Sequence, residues 1–203
     1  MTRLGFLRWL AFIGFTALAI PLRVFSKPLA QKVADMAPRF VIPDDAIQPI
    51  TPTHSFYVED ISGIPDSAKK GSGDWALTVS GLVAHPLRLN LKQCEARPQV
   101  RKIITLSCIG NPVGGYALGN AEWQGLSLSK LLDETRPSSK AEWITLKGGD
   151  GYFESIPLKK AYHPGAMLAT HMNGEPLTLD HGFPMRLLVP GLYGIKQVKW
   201  IYA

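Results

Sequence analysis

From Thr51 onward, short apolar runs alternate with turn signals, and this punctuation constrains the fold more than any other feature of the chain. Nineteen glycines and sixteen prolines leave little room for long helices, because proline removes a backbone donor and glycine weakens helix and strand interiors. The β-branched runs Trp75 to Val83 and Lys102 to Cys108 read as strands, as do Trp143 to Leu146 and Gln197 to Ile201. Helical patterning is confined to Leu128 to Glu134, with Ser127 as its cap, and to Leu158 to Tyr162 after Pro157. Asn173-Gly174 between two apolar runs predicts a tight hairpin turn. Together these signals predict an α+β domain with mixed sheets and long functional loops, and no internal repeat is visible.

With 203 residues, 46% of them hydrophobic, the chain can bury a core, which rules out wholesale disorder. Its net charge of +6 is unevenly placed. Residues 1–40 carry six basic side chains (Arg3, Arg8, Arg23, Lys27, Lys32 and Arg39) against Asp35 alone, leaving 16 basic and 15 acidic residues in the remainder. A nucleic-acid surface would place the excess on the folded part, so nucleic acid is not an expected partner. The excess instead flanks the uncharged run Trp9 to Leu22, and Leu4 to Phe25 is long enough, at about 33 Å as a helix, to span a bilayer with Arg8 and Arg23 at the headgroups. No small-x-small cleavage site follows it, so the reading is a signal or uncleaved membrane anchor over residues 1–26, a Pro-rich linker over 27–50 and a folded domain over 51–203.

Chemistry concentrates in two places. In Ile104-Thr-Leu-Ser-Cys-Ile-Gly-Asn-Pro-Val-Gly-Gly115 a strand delivers Cys108 into a Gly-rich turn, where its thiolate can serve as a soft metal ligand or a nucleophile. The plainer alternatives are an inert buried thiol and a disulfide with Cys94. Zinc is disfavoured, because two lone cysteines lack the ligand spacing of tetrahedral sites. The second concentration, His181 to Lys199, sets His181, Arg186, Lys196 and Lys199 among Gly and Pro turns, where fixed donors can clamp an anion or where the cations form an ordinary solvated edge. His54 and Tyr57 admit either a ligand-facing role or a capping and core role, and Trp123, Trp143 and Trp200 read as core aromatics.

These segments resemble the molybdopterin-binding domain of the sulfite oxidase family. The resemblance rests on Ser-Cys-Ile-Gly-Asn (107–111), Gly119-Asn-Ala-Glu-Trp-Gln-Gly125, Asp150-Gly-Tyr-Phe-Glu-Ser-Ile-Pro157, Met172-Asn-Gly-Glu-Pro176 and His181 through Lys199, in the family's order. It implies a sulfite-oxidase-like fold and a molybdenum-molybdopterin cofactor, with Cys108 as metal ligand and catalytic residue. It further implies cofactor contacts from His54, Tyr57 and Val58, from the backbone of Gly148, from His181 and Arg186 on the phosphate side, and from backbone groups of Gln197, Val198 and Lys199.

Departures from the family narrow the expectation. Pro112, Val113 and two glycines follow Asn111, where sulfite oxidases place arginines that hold an anionic substrate. A carboxy-terminal dimerisation domain and a haem domain have no counterpart, and the chain stops at Ala203 where relatives continue, so the expectation is a truncated or minimal member. The arrangement is thus closer to bacterial catalytic subunits that reduce methionine sulfoxide. The expected activity is oxygen-atom transfer on a small sulfoxide-like or oxyanion substrate. Electrons are exchanged with an external protein, either a cytochrome or a quinol-linked membrane subunit. The opening Thr2-Arg3-Leu4-Gly5-Phe6-Leu7-Arg8 is similar to a twin-arginine export signal, with Leu4 in place of the second arginine. The expected location is the bacterial inner membrane with the domain on the periplasmic side, although four basic residues after the apolar run and two before it favour the opposite side. The competing reading is a non-enzymatic anchored module that keeps the fold without the cofactor.

Overall fold

The computed structural model describes residues 49–201. The expected anchor, nearly all of the linker and the last two residues lie outside the described residues. Among those described, no helix is long and apolar enough to cross a membrane.

The architecture is a mixed one of sheets and short helices. Its centre is a five-stranded antiparallel sheet: β3 (Gln99–Ser107), β4 (Leu118–Ser127), β7 (Met167–Met172) and β8 (Glu175–Pro176) lie side by side, and β9 (Arg186–Leu188) also pairs with β7. Two hairpins stand apart from it, β1 (Ala76–Val79) with β2 (Leu87–Asn90), and β5 (Trp143–Lys147) with β6 (Phe153–Pro157). The helices are short: α1 (Asp66–Lys69), α2 (Leu91–Glu95), α3 (Leu128–Thr135) and α4 (Leu158–Ala161). Ser127 caps α3 by accepting a hydrogen bond from the Lys130 amide, and Asn90 with Gln93 forms a capping box on α2.

Strand β7 is buried on both faces, which explains its continuous apolar run. Its alternation sorts the core into two layers. Leu168 joins Trp75, Leu131, Ile156 and Leu187 on one side. Met167 and Ala169 join Phe56, Trp123 and Leu188 on the other. Arg186, two residues before Leu188 on β9, projects toward this second layer, its guanidinium lying over the Trp123 ring. Gly125 makes the central pairing possible: a Cβ there would lie 2.6 Å from the Ala169 Cα, and the β4–β7 register shifts at this point.

The hairpin at Asn173-Gly174 is present, with both residues at positive φ (52° and 86°) and His171 and Met172 facing Pro176 and Glu175. Other expectations need correction. The run Trp75 to Val83 is a strand only over Ala76–Val79, because Gly81 turns the chain at φ 94°. Gln197 to Ile201 is no strand. Its Val198 carbonyl accepts from the Leu187 amide (2.9 Å) and its Ile201 amide donates to the Met185 carbonyl (2.8 Å), but Trp200 at φ 48° breaks the extended path. Trp143 is not a core aromatic: it is 59% exposed on the outward face of the β5–β6 hairpin, whereas Trp123 and Trp200 are buried.

A candidate molybdopterin cavity around Cys108 and Arg186

The end of β3 sets Cys108 at the edge of a cavity of about 210 Å³. The turn that follows is closed on itself: the Cys108 amide donates to the Ala117 carbonyl (2.9 Å), the Ala117 amide donates to Asn111 Oδ1 (2.9 Å), and the Asn111 amide donates back to the Cys108 carbonyl (3.1 Å). These bonds hold the backbone around Cys108 and leave its half-buried thiol on the cavity wall. Both cysteines are free, so the disulfide alternative is set aside, and Cys94 is a core residue on α2 whose thiol burial pushes up to about 11.

Behind the cavity stands an aromatic stack built on Phe56. Its ring lies 5.4 Å from Tyr57 in parallel and packs edge-on against Trp123 (5.7 Å) and His181 (5.6 Å). Gly119 on β4 exists to admit it, since a Cβ there would sit 2.5 Å from the ring. Tyr57 reaches over Gly194, and burial raises its phenol pKa against the opposing pull of Arg186, so it stays protonated and available as a donor.

Arg186 is the most demanding group of the site. It is 5% exposed, its Nη1 donates to the His181 carbonyl (3.1 Å), and its guanidinium carbon lies 5.1 Å from the Trp123 ring centre. Its Nε is buried without a hydrogen-bond partner, and no carboxylate pairs with it among the described residues. Burial lowers its pKa to about 10, so it remains a cation at neutral pH. A buried guanidinium with an unused N–H is costly unless an anion meets it. His181 is also buried, which lowers its pKa, and its Nε2 pairs with the Thr53 carbonyl at 3.1 Å. That contact requires the proton on Nε2, and burial, which outweighs it in lowering the pKa, keeps the ring a neutral anchor for the Thr53 turn rather than a second cation. Lys199 is that second cation: burial and the like charge of Arg186 bring its pKa down to about 8, and its Nζ donates to the Asp180 carbonyl (3.1 Å), lies 3.9 Å from Asp60 and sits 4.2 Å over Trp200.

Of the residues named from the sequence, Cys108, Tyr57, Val58, His181, Arg186, Gln197, Val198 and Lys199 all line the cavity. The Gln197 side chain is spent within the fold, accepting from the Val189 amide (2.9 Å) and donating to the Leu192 carbonyl (2.7 Å), and its amide donates to the Gly194 carbonyl (2.9 Å), so only its own carbonyl is free to serve a ligand. His54 and Gly148 do not line the cavity. His54 stands exposed on the 3-10 turn Thr53–Ser55. Gly148 brings the end of β5 against the Lys199 segment: a Cβ there would sit 2.8 Å from the Lys199 carbonyl and would overlap the Asp150 carboxylate. Sequence reasoning missed the acids Glu59, Asp60, Asp150 and Asp180 on the wall. Asp150 was legible, as the first residue of the Asp-Gly-Tyr run.

The donor set fits a phosphorylated cofactor that carries its own metal ligands. Among the described residues, no group of three or more His, Cys, Asp or Glu side chains is arranged to hold a metal, so a metal at Cys108 needs further ligands from a bound organic group. The orphaned Arg186 Nε answers a phosphate, while carboxylates on the same cavity wall offer acceptors to the N–H groups of a pterin ring.

Comparison with known proteins points the same way. The sequence profile of the family described as "Oxidoreductase molybdopterin binding domain" matches residues 62–203. The chain is 33% identical over 174 residues to an NADPH nitrate reductase of Leptosphaeria maculans, covering 75% of this chain and 20% of the relative. It is 32% identical over 183 residues to the sulfite oxidase of Arabidopsis thaliana, covering 75% and 46%, and 33% identical over 127 residues to YuiH, an uncharacterised oxidoreductase of Bacillus subtilis, covering 63% and 62%. The chain therefore spans about a fifth of that nitrate reductase and less than half of that sulfite oxidase. Among solved structures, the sulfane dehydrogenase SoxCD of Paracoccus pantotrophus superposes with a TM-score of 0.68 at 29% identity, over 75% of this chain and 42% of the other.

Proposed function

The chain belongs to the family of oxidoreductase molybdopterin-binding domains, and on that premise we propose that it catalyses oxygen-atom transfer, reducing neutral sulfoxide-like substrates in preference to oxidising sulfite. The observation that carries the reading is the placement of a thiol, Cys108, and a buried guanidinium with an unused N–H, Arg186, on one cavity. When bound, Mo-molybdopterin supplies a two-electron Mo(VI)/Mo(IV) couple able to give or take an oxygen atom.

The residues divide the work by their chemistry. The Cys108 thiolate ligates the metal, and the closed turn from Cys108 to Ala117 keeps it in place. Arg186 and Lys199 hold the phosphate side, aided by the backbone amides of Val198 and Lys199, while Gln197 braces that segment through its bonds to Val189, Leu192 and Gly194, and Tyr57 and Val58 flank the cofactor. His54 and Gly148 complete the proposed set from outside the cavity lining. Among the described residues, only two Lys or Arg residues line the cavity, against four acids. Lys196 pairs with Glu154 at 2.7 Å, and neither it nor Lys147 reaches the wall. With its two cations committed to the cofactor, the site has none left for a doubly charged oxyanion, whereas a neutral sulfoxide needs only a donor and an apolar wall. The balanced half-reaction is R₂SO + 2e⁻ + 2H⁺ → R₂S + H₂O, with electrons from an external cytochrome or quinol-linked subunit.

The convergence of eight of the ten named residues on one cavity supports this enzyme over a cofactor-free module. Metal analysis tests it: about one molybdenum per chain after expression in a molybdopterin-competent host is expected, and none would leave the module as the reading. Comparing kcat/KM for a small sulfoxide, with a reduced dye as donor, against that for sulfite tests the direction, and a clear preference for sulfite would reverse it. An anchor over residues 1–26, a linker over 27–50 and a periplasmic place at the bacterial inner membrane belong to the same proposal, and carbonate extraction with protease protection tests them.

A further inference from the structure

We propose that Ile61, Ile109 and Ile195 form an apolar collar that reads the carbon substituents of the substrate, so that the site favours neutral S-oxides carrying a bulky apolar group over the smallest ones. The proposal rests on the oxygen-transfer reading above. The three side chains are 74%, 61% and 44% exposed, yet all three line the Cys108 cavity. Single exposed aliphatics are ordinary on protein surfaces, but three from separate segments converging on one cavity mark a binding mouth. Ile109 directly follows Cys108 in the chain and lines the same cavity. The acids Glu59 and Asp60 directly precede Ile61 on the cavity wall, and although Asp60 lies 3.9 Å from Lys199, the wall carries four acids against two cations, which disfavours oxyanions and leaves neutral molecules unaffected. An apolar mouth discriminates among neutral molecules by the surface they bury; an enclosed pocket gains about tenfold or more in kcat/KM per methylene, and an open collar keeps only a fraction of that, about tenfold for a whole phenyl ring. In the step itself the S–O bond breaks, sulfur is reduced from sulfoxide to sulfide, and oxygen leaves as water with two protons and two electrons from a reduced viologen dye.

The test compares methyl phenyl sulfoxide with dimethyl sulfoxide on the molybdenum-loaded protein, together with calorimetric binding of methyl phenyl sulfone, which reports on the collar without turnover. The ratio of kcat/KM values, phenyl over dimethyl, is expected to be about ten or more and to fall several-fold in Ile61→Ala and Ile109→Ala, with the sulfone Kd rising in parallel. Val113→Ala serves as control: its side chain is fully exposed on the same turn but does not line the cavity, so it should leave ratio and Kd unchanged. A ratio near one, Ile variants that change neither quantity, or an equal effect of Val113→Ala would overturn the collar. If the loaded protein reduces neither sulfoxide, the oxygen-transfer reading fails by itself. The collar then stands or falls on sulfone binding alone, supported by a higher Kd in the Ile variants and refuted by an unchanged one.

Discussion

The guanidinium of Arg186 stacks on Trp123, 5.1 Å from the ring centre, and this aromatic face is what lets the fold keep a buried cation without a carboxylate partner. Its remaining unused N–H leaves the free protein incomplete at that point. Arg186→Ala should therefore weaken cofactor affinity about ten- to hundredfold and so lower occupancy, since a charge-assisted contact is worth about 1.5–3 kcal/mol. Arg186→Lys should recover only part of it, for want of the planar two-pronged donor set. Molybdenum content per chain measures both, and an unchanged value in Arg186→Ala would remove this residue from the site.

Cys108→Ser exchanges a soft thiolate for a hydroxyl, and turnover should be lost while the urea midpoint barely moves. Cys94→Ser should do the opposite. Its thiol is fully buried and protonated, so a serine hydroxyl there costs about 1–2 kcal/mol of stability and leaves specific activity intact. Retained activity in Cys108→Ser would refute the ligand assignment.

Stability of the cofactor-free protein should rise with pH through the range where Lys199 sheds its proton. Burial lowers its pKa from the ordinary 10.5 to about 8, so the fold disfavours the charged form. The penalty is fully present below about pH 8 and fades between there and 10.5, where the unfolded chain binds the proton that the folded one has released. Urea unfolding across this window should show a rise from about pH 8 in the parent that Lys199→Met lacks, and above about pH 9, where the raised Cys94 thiol pulls the other way in both, the difference between the two carries the Lys199 contribution. An identical slope in both would place Lys199 in solvent.

Gly119→Ala tests the aromatic stack behind the site. The added Cβ would lie 2.5–2.8 Å from three atoms of the Phe56 ring, which must then press on Trp123 and His181. We expect a loss of about 1–3 kcal/mol from overpacking, together with lower molybdenum occupancy. A stable protein with full occupancy would show that Phe56 yields without disturbing Arg186.

What the sequence determined by itself was local chemistry and local turns. The run from Ile104 into Cys108 and Gly110 announced a strand ending in a loop, Asn173-Gly174 announced a hairpin, and Ser127 announced a helix start; each rests on contacts between near neighbours in the chain. The sequence missed β4, the longest strand of the central sheet, because Gly119 and Gly125 read as breakers until Phe56 and Ala169 are packed against them. It misread Gln197 to Ile201 as a strand for the complementary reason. Those residues are apolar enough, but a left-handed Trp200 directs its Nε1 to the Leu179 carbonyl (2.7 Å), a partner that sequence alone does not place nearby. Only tertiary structure decided the electrostatics of the site. His181, Arg186 and Lys199 are three basic residues on paper. Their burial makes the first a neutral anchor, leaves the second an unsatisfied cation, and brings the third within reach of neutrality, because the cost of a charge depends on how much water and how many partners surround it.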